Sequence, residues 1–381
     1  MLISNVQQRC VLFPLAMILT VAPATRQQAI FAQATENTAE TNKPTTIQVR
    51  DPRELYRETP LTQAVERGVR FLQETQLPDG SWLSNYGEEG KNTGIIGLAV
   101  LAMLAARNEP GRGPHGEAIN NGIRFLIQSR KRGMLIREQD TSHGPMYEHG
   151  IATLVLGEVL GMLPEDTAGF ENLNRIHRSA VDLIVRAQNV PKDFIYIGGW
   201  RYSPTTDQAD LSVSGWQILA LRAAQDAGLP VPQKSIDRAI GYVKRCAAPE
   251  GGFVYDPLQS KKANAAMTGT GILALQLCGE YRSKEALRGG DWLLKHPVEW
   301  KTPFVYYSLY YATQAMYQLG EAHWEAWREI SETLLLEKQN PDGSWSLPPN
   351  VHEREAGFAY TTALAILALT VEYRCLPIYQ R

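Results

Sequence analysis

The chain has 381 residues, 44% of them apolar and 20% charged, with 38 basic side chains against 40 acidic ones. That apolar share excludes a disordered or collagen-like chain, and the near balance of charge leaves no broad basic field to hold nucleic acid. Four cysteines, none in Cys-x-x-Cys spacing, exclude a disulfide scaffold and a zinc ribbon.

Near the start of the chain, Arg9 stands ahead of an apolar run from Val11 to Ala24, broken by Pro14 and Pro23. That run suits a signal-peptide core and is too short to span a bilayer. Small-x-small sites at Ala22-Pro23-Ala24 and Ala32-Gln33-Ala34 predict a signal peptide over residues 1–34, cut after Ala34. Ala24 is the second site, and an uncleaved anchor the alternative. Residues 35–59 are polar and Pro-interrupted and read as a flexible leader. Export, to a bacterial periplasm, is the expectation. The remainder keeps Cys246, Cys278 and Cys375, so at least one thiol is free or pairs between chains.

From residue 60 onward the chain repeats one phrase six times. Arg67-Gly68-x-x-Phe71-Leu72-x-x-x-Gln76 leads into Asp79-Gly80-Ser81-Trp82, and Leu334-Leu335-x-x-x-Gln339 into Asp342-Gly343-Ser344-Trp345. Weaker copies lie between: Gly122-x-x-Phe125-Leu126, Gln188 before Gly198-Gly199-Trp200, Gly251-Gly252-Phe253, and Trp292-Leu293 before Trp300. The helix before each turn is amphipathic, as in Val65, Val69 and Leu72. The helix after it is apolar nearly all round, as a helix buried on both sides is. These inner helices are predicted to start near Asn92, Tyr147, Asp210, Ala265, Tyr306 and Phe358. The pattern predicts an all-α fold, an (α/α)6 toroid of six outer/inner helix pairs in one domain, residues 60–381.

The repeated phrase resembles that of squalene–hopene and oxidosqualene cyclases, and more loosely that of protein prenyltransferase β subunits. The resemblance runs from Pro60 to the C-terminus. It implies a central apolar cavity and proton-initiated cyclisation of a polyprene without cofactor. In class II terpene cyclases an Asp-x-Asp-Asp-Thr stretch supplies the acid. Aligned with it, Thr206 to Trp216 puts Asp210 at the acid and Ser212 at the Thr, while Gln208 and Leu211 replace the outer carboxyls. Asp207 is left as the second carboxyl. The competing reading makes Asp210 an ordinary helix N-cap, which would leave it ionised.

Cyclisation needs aromatic faces to steady carbocations. Trp216, Tyr147, Tyr306, Tyr307, Tyr310, Tyr311, Phe358 and Tyr360 are the candidates, with Tyr306/Tyr310 and Tyr307/Tyr311 each sharing a helix face. The prenyltransferases resembled here hold zinc through Asp-x-Cys and a later His. This chain has no Asp-x-Cys, and its last inner helix begins Phe358-Ala359-Tyr360-Thr361, so no metal is expected. His143 and His149 are the nearest histidine pair. Two other readings remain open: an exported toroid that binds a lipid or protein, at the membrane surface, without catalysis, and a polysaccharide-acting toroid. The second would pair carboxylates among Glu88, Glu89, Glu148, Asp207 and Asp210.

Overall fold

A computed structural model describes residues 57–131, 133–135, 144–260 and 262–380. All belong to a compact unit, Pro44–Arg381. The signal-peptide expectation, most of the leader and His143 lie outside the described residues.

Twelve α-helices are present among the described residues. The outer set is α1 (Pro60–Thr75), α3 (Gly116–Gln128), α5 (Phe170–Gln188), α7 (Gln233–Arg245), α9 (Lys284–Lys295) and α11 (Glu321–Glu337). The inner set is α2 (Thr93–Ala105), α4 (Pro145–Met162), α6 (Leu211–Asp226), α8 (Ala265–Leu277), α10 (Val305–Leu319) and α12 (Val351–Leu369). One short hairpin, β1 (Arg130–Lys131) with β2 (Met134–Leu135), interrupts the α pattern. Hydrophobic patterning separates the sets. Helix α1 buries a single stripe of Ala64, Val65, Gly68, Val69 and Leu72, whereas every residue of α2 is buried.

The inner helices pack in sequence around a ring, and α12 closes it against α2. The fold is the (α/α)6 toroid that the repeats predict. Five inner helices start within two residues of the expected position. The sixth, α12, starts seven residues early: an extra turn from Val351 to Ala356 precedes a break at Gly357, where φ is 84°.

The repeated residues are the joints of the ring. Gln76 Nε2 donates to Gly80 O in its own turn (3.1 Å) and to Ala118 O on the next outer helix (2.9 Å). Gln188 does the same to Gly198 and Ser235, both at 2.9 Å. Gln339 does so to Gly343 (3.1 Å) and, across the closure, to Ala64 (2.8 Å). Each Trp anchors back on its own outer helix: Trp82 Nε1 donates to Leu72 O at 2.7 Å, Trp200 to Ile184 O at 2.8 Å and Trp345 to Leu335 O at 2.8 Å. The turn glycine must be Gly. At Gly80, φ is +91°, and a Cβ would stand 2.2 Å from Asn121 O on the neighbouring helix. The repeat Trp and Gln are therefore structural, and truncating such a buried Trp costs about 3–5 kcal/mol.

Candidate functional site

The ring encloses a cavity of about 700 Å³ at one end, lined by the first turns of all six inner helices. That is the volume of a small-molecule site, for which roughly 300–1,000 Å³ is usual. The wall is mostly apolar, built from Ile95, Leu98, Ile151, Ala265 and Met267 with the aromatic rings of Tyr86, Tyr147, Tyr202, Trp216, Tyr255, Tyr307 and Tyr360. No Lys or Arg lines it among the described residues. Trp216 separates the cavity from the closed end of the ring: its ring stacks on Tyr310 at 5.7 Å, and the Tyr310 hydroxyl meets that of Tyr379 at 3.2 Å.

Of the residues expected from sequence, Ser212, Trp216, Tyr147, Tyr307 and Tyr360 come together on this wall. The Ser212 hydroxyl bonds to that of Tyr147 and, at 3.0 Å, to that of Tyr307. Buried hydroxyls satisfying one another leave an apolar surface toward the lumen. Four candidates face elsewhere. Tyr306 donates to Ser346 O at 2.7 Å and packs edge-on against Trp300. Tyr310 and Tyr311 lie behind Trp216. Phe358 is 43% exposed and packs on Phe71. Tyr306 and Tyr307 are neighbours on one helix, so about 100° of rotation separates their directions and only one enters the cavity.

Asp210 departs most from expectation. Its side chain is fully buried and does not line the cavity. It caps α6, with Oδ1 accepting from Val213 N at 2.8 Å, while Oδ2 has no hydrogen bond. Tyr202 and Tyr255, whose hydroxyls bond each other, do line the cavity. The cap does not hold the carboxyl low: burial pushes it up to about 7, against the pull of the Val213 N–H, the Arg201 guanidinium and the nearby Tyr255 hydroxyl. Arg201 is itself engaged by Asp256 at 3.4 Å. Asp207 is exposed and contributes no second carboxyl to the cavity. Nor does Ser212 touch Asp210, its hydroxyl being held by the two tyrosines.

Two other carboxyls are in the wall. Glu148, in the first turn of α4, is 3% exposed and accepts from Asn92 Nδ2 at 2.7 Å. Asn92 itself caps α2 through Ile95 N at 3.1 Å. Glu353, in the extra turn of α12, is 1% exposed. Its Oε1 accepts from Tyr307 N at 3.0 Å and from the Tyr360 hydroxyl at 3.4 Å, and its Oε2 has no hydrogen bond. Burial raises the Glu353 carboxyl to about 7, opposed by the backbone N–H groups at the start of α10. Sequence reading passed over Glu353. Its signal was Asn350-x-x-Glu353, a helix-start pattern, and Asn350 Oδ1 does accept from Glu353 N at 3.2 Å. Of the five acids considered for sugar chemistry, Glu148 lines the cavity, while Glu89, Asp207 and Asp210 do not; the side chain of Glu88 lies outside the described set.

His149 is a core residue. Its Nδ1 accepts from Leu135 N and its Nε2 faces Ala180 O, both at 3.1 Å, and burial lowers it to about 4. No group of three His, Cys, Asp or Glu is placed to hold a metal among the described residues. None of the described helices is long and apolar enough to cross a membrane. Cys246 and Cys375 carry free thiols.

Comparison with known proteins agrees with the fold and leaves the chemistry open. The type II terpene cyclase MstE from Scytonema superposes with a TM-score of 0.53 at 17% identity, over 82% of this chain and 97% of that one. The GH76A alpha-1,6-mannanase of Salegentibacter sp. HEL1_6 superposes with a TM-score of 0.59 at 9% identity, over 83% and 99%. At such identities the likeness is one of fold. No curated protein matches the sequence. The family model for the prenyltransferase alpha-alpha toroid domain matches residues 172–305 and 204–377, which together span more than half of the chain. The chain belongs to the prenyltransferase alpha-alpha toroid family.

Proposed function

We propose that the protein takes an apolar isoprenoid into the toroid cavity and cyclises it by protonating a double bond, as a class II terpene cyclase-type isomerase. One observation carries the reading: a cavity of about 700 Å³, walled by apolar and aromatic side chains, holds a carboxyl, that of Glu353, which burial raises to about 7. Protonating an alkene needs a neutral acid beside the substrate. The cation then formed needs ring faces, and no basic side chain, around it. Trp216, Tyr307 and Tyr360 supply such faces. The reaction class needs no metal or cofactor. Export would present the protein with membrane-dissolved polyprenes such as squalene. The 41% exposed Phe304, which also lines the cavity, suits entry from a lipid surface.

A rival reading, a lipid-binding toroid without turnover, is favoured by the position of Asp210 outside the cavity wall. Incubating the purified protein with squalene, a polyprene mixture and, separately, alpha-1,6-mannan separates the readings. An isomer of the polyprene, seen by gas chromatography with mass spectrometry, supports the cyclase. Lipid retained unchanged means a binding toroid, and released saccharide overturns both.

A further inference from the structure

The geometry points to Glu353, rather than Asp210, as the acid that hands a proton to the substrate. This inference rests on the cyclase reading and names its catalytic residue. Three features of the cavity single Glu353 out. The Asn350 cap and the break at Gly357 fold residues 351–356 into a separate turn, which seats Glu353 in the cavity wall. One carboxyl oxygen is spoken for by Tyr307 N and the Tyr360 hydroxyl. The other, Oε2, has neither a hydrogen bond nor open surface, so a proton carried there has no protein acceptor and reaches the cavity when the carboxyl turns toward it.

Asp210 shares the orphan oxygen but not the position. The cavity wall beside it is made by Tyr202 and Tyr255, and Asp210 itself is absent from that wall.

The step balances as an isomerisation. The Oε2–H bond of Glu353 breaks, and the π pair of the substrate's terminal double bond forms the new C–H bond. A tertiary cation is left on the adjacent carbon. The π pair of the next double bond then closes the ring. The last cation loses a neighbouring proton to water at the mouth, which restores a double bond, and the Glu353 carboxylate recovers a proton from water. As Glu353 ionises, the donors already aimed at it hold the charge: Tyr307 N–H, the first turn of α10, and the Tyr360 hydroxyl. Glu148 lines the same cavity, and no Lys or Arg does among the described residues, which leaves His352 as the lining side chain able to carry a positive charge.

The test uses the full chain as wild type, Glu353→Gln and Asp210→Asn, each incubated with squalene in phospholipid vesicles. Gln keeps the Oε1 acceptor and Asn keeps the cap, so thermal melting of both should stay near wild type. The expected result is a cyclised isomer from wild type, a loss of 100-fold or more in Glu353→Gln with squalene still bound, and less than tenfold change in Asp210→Asn. Product from wild type and undiminished product from Glu353→Gln would overturn Glu353 while leaving the cyclase reading intact. No product from wild type would overturn the cyclase reading and the acid with it. A second measurement needs no turnover: the infrared difference between wild type and Glu353→Gln at pH 6 should contain the carbonyl band of a neutral carboxyl. A carboxylate band there instead would overturn the assignment even if Glu353→Gln were inactive or poorly folded.

Discussion

Each end of the ring buries a glutamate, and the two are used differently. At the open end, Glu353 stands in the wall of a cavity beside aromatic rings. At the closed end, Glu158 of α4 is fully buried where the 3-10 turn Pro377–Tyr379 packs against α4 and α6. Its Oε2 accepts from Ile378 N at 3.3 Å, and its Oε1 has no hydrogen bond. Burial raises Glu158 to about 8 and Glu353 to about 7. Two carboxyls thus share the same chemistry and each has an oxygen without a hydrogen bond, yet of the two only Glu353 belongs to the cavity wall. A raised carboxyl marks buried polarity; an adjoining cavity is what gives it a substrate.

The sharpest way to break this contrast is to remove the partition. Trp216→Ala deletes the ring between the cavity and Tyr310, and should lower the free energy of unfolding in urea by about 3–5 kcal/mol. If the closed end is packed for stability alone, the cavity would then extend toward Tyr310 and retain longer polyprenes. Unchanged lipid selection by mass spectrometry would contradict that.

A smaller effect concerns Glu158. Its folded value of about 8 lies above the unfolded one, so between the two the native state holds a proton that the unfolded chain has lost. Stability therefore falls as pH rises through that window. Below pH 6.5 the neutral buried His149 and His177, both lowered to about 4, act in the opposite sense, because the unfolded chain binds their protons first. Between pH 6.5 and 8 Asp210 and Glu353, both raised to about 7, add falls of the same sign, so the contribution of Glu158 is read as the difference between wild type and Glu158→Gln. One proton held across about 1.5 pH units is worth about 2 kcal/mol. Urea unfolding of wild type should lose stability over that range, and Glu158→Gln should lose about 2 kcal/mol less. Parallel pH profiles for the two would show that Glu158 is ionised in the folded state.

The smallest effect belongs to Tyr307→Phe at the open end, which deletes one hydroxyl bonded to Ser212 at 3.0 Å. About 1 kcal/mol of stability should be lost, with lipid retention preserved because the ring face remains. Loss of retention would mean that the hydroxyl, rather than the face, holds the ligand.

The fold was legible because each repeat states its own geometry. Gly80 and Gly343 mark turns, Gln76 and Gln339 mark joints, and the change from a striped to a wholly apolar helix separates outside from inside. The cavity's place was legible too, since inner-helix starts have to converge on the axis. Single side-chain directions were not. Asp210 and Ser212 are two residues apart at one helix start, yet packing against Val213 N–H turns the first inward and the tyrosine hydroxyls draw the second into the lumen. Glu353 was hidden because its turn precedes the apolar run that announces α12, and six residues before a Gly read as loop.

The joint between the last repeat and the first deserves a final consequence. Gln339 bonds to Ala64, a Cβ on Gly68 would press on Trp345, and a Cβ on Gly343 would meet Arg67 O at 2.4 Å. The first repeat meets the second, and the third the fourth, in the same way: Gln76 bonds to Ala118 and Gln188 to Ser235, and a Cβ on Gly80 or Gly198 would strike Asn121 O or Arg238 O. An open stack of repeats has end members with a single neighbour and can melt from them inward. Here every repeat has two neighbours, and the seam is built like the rest. No unit can be shed while the others stand, so the ring should behave as a single cooperative body whose weakest repeat is supported from both sides.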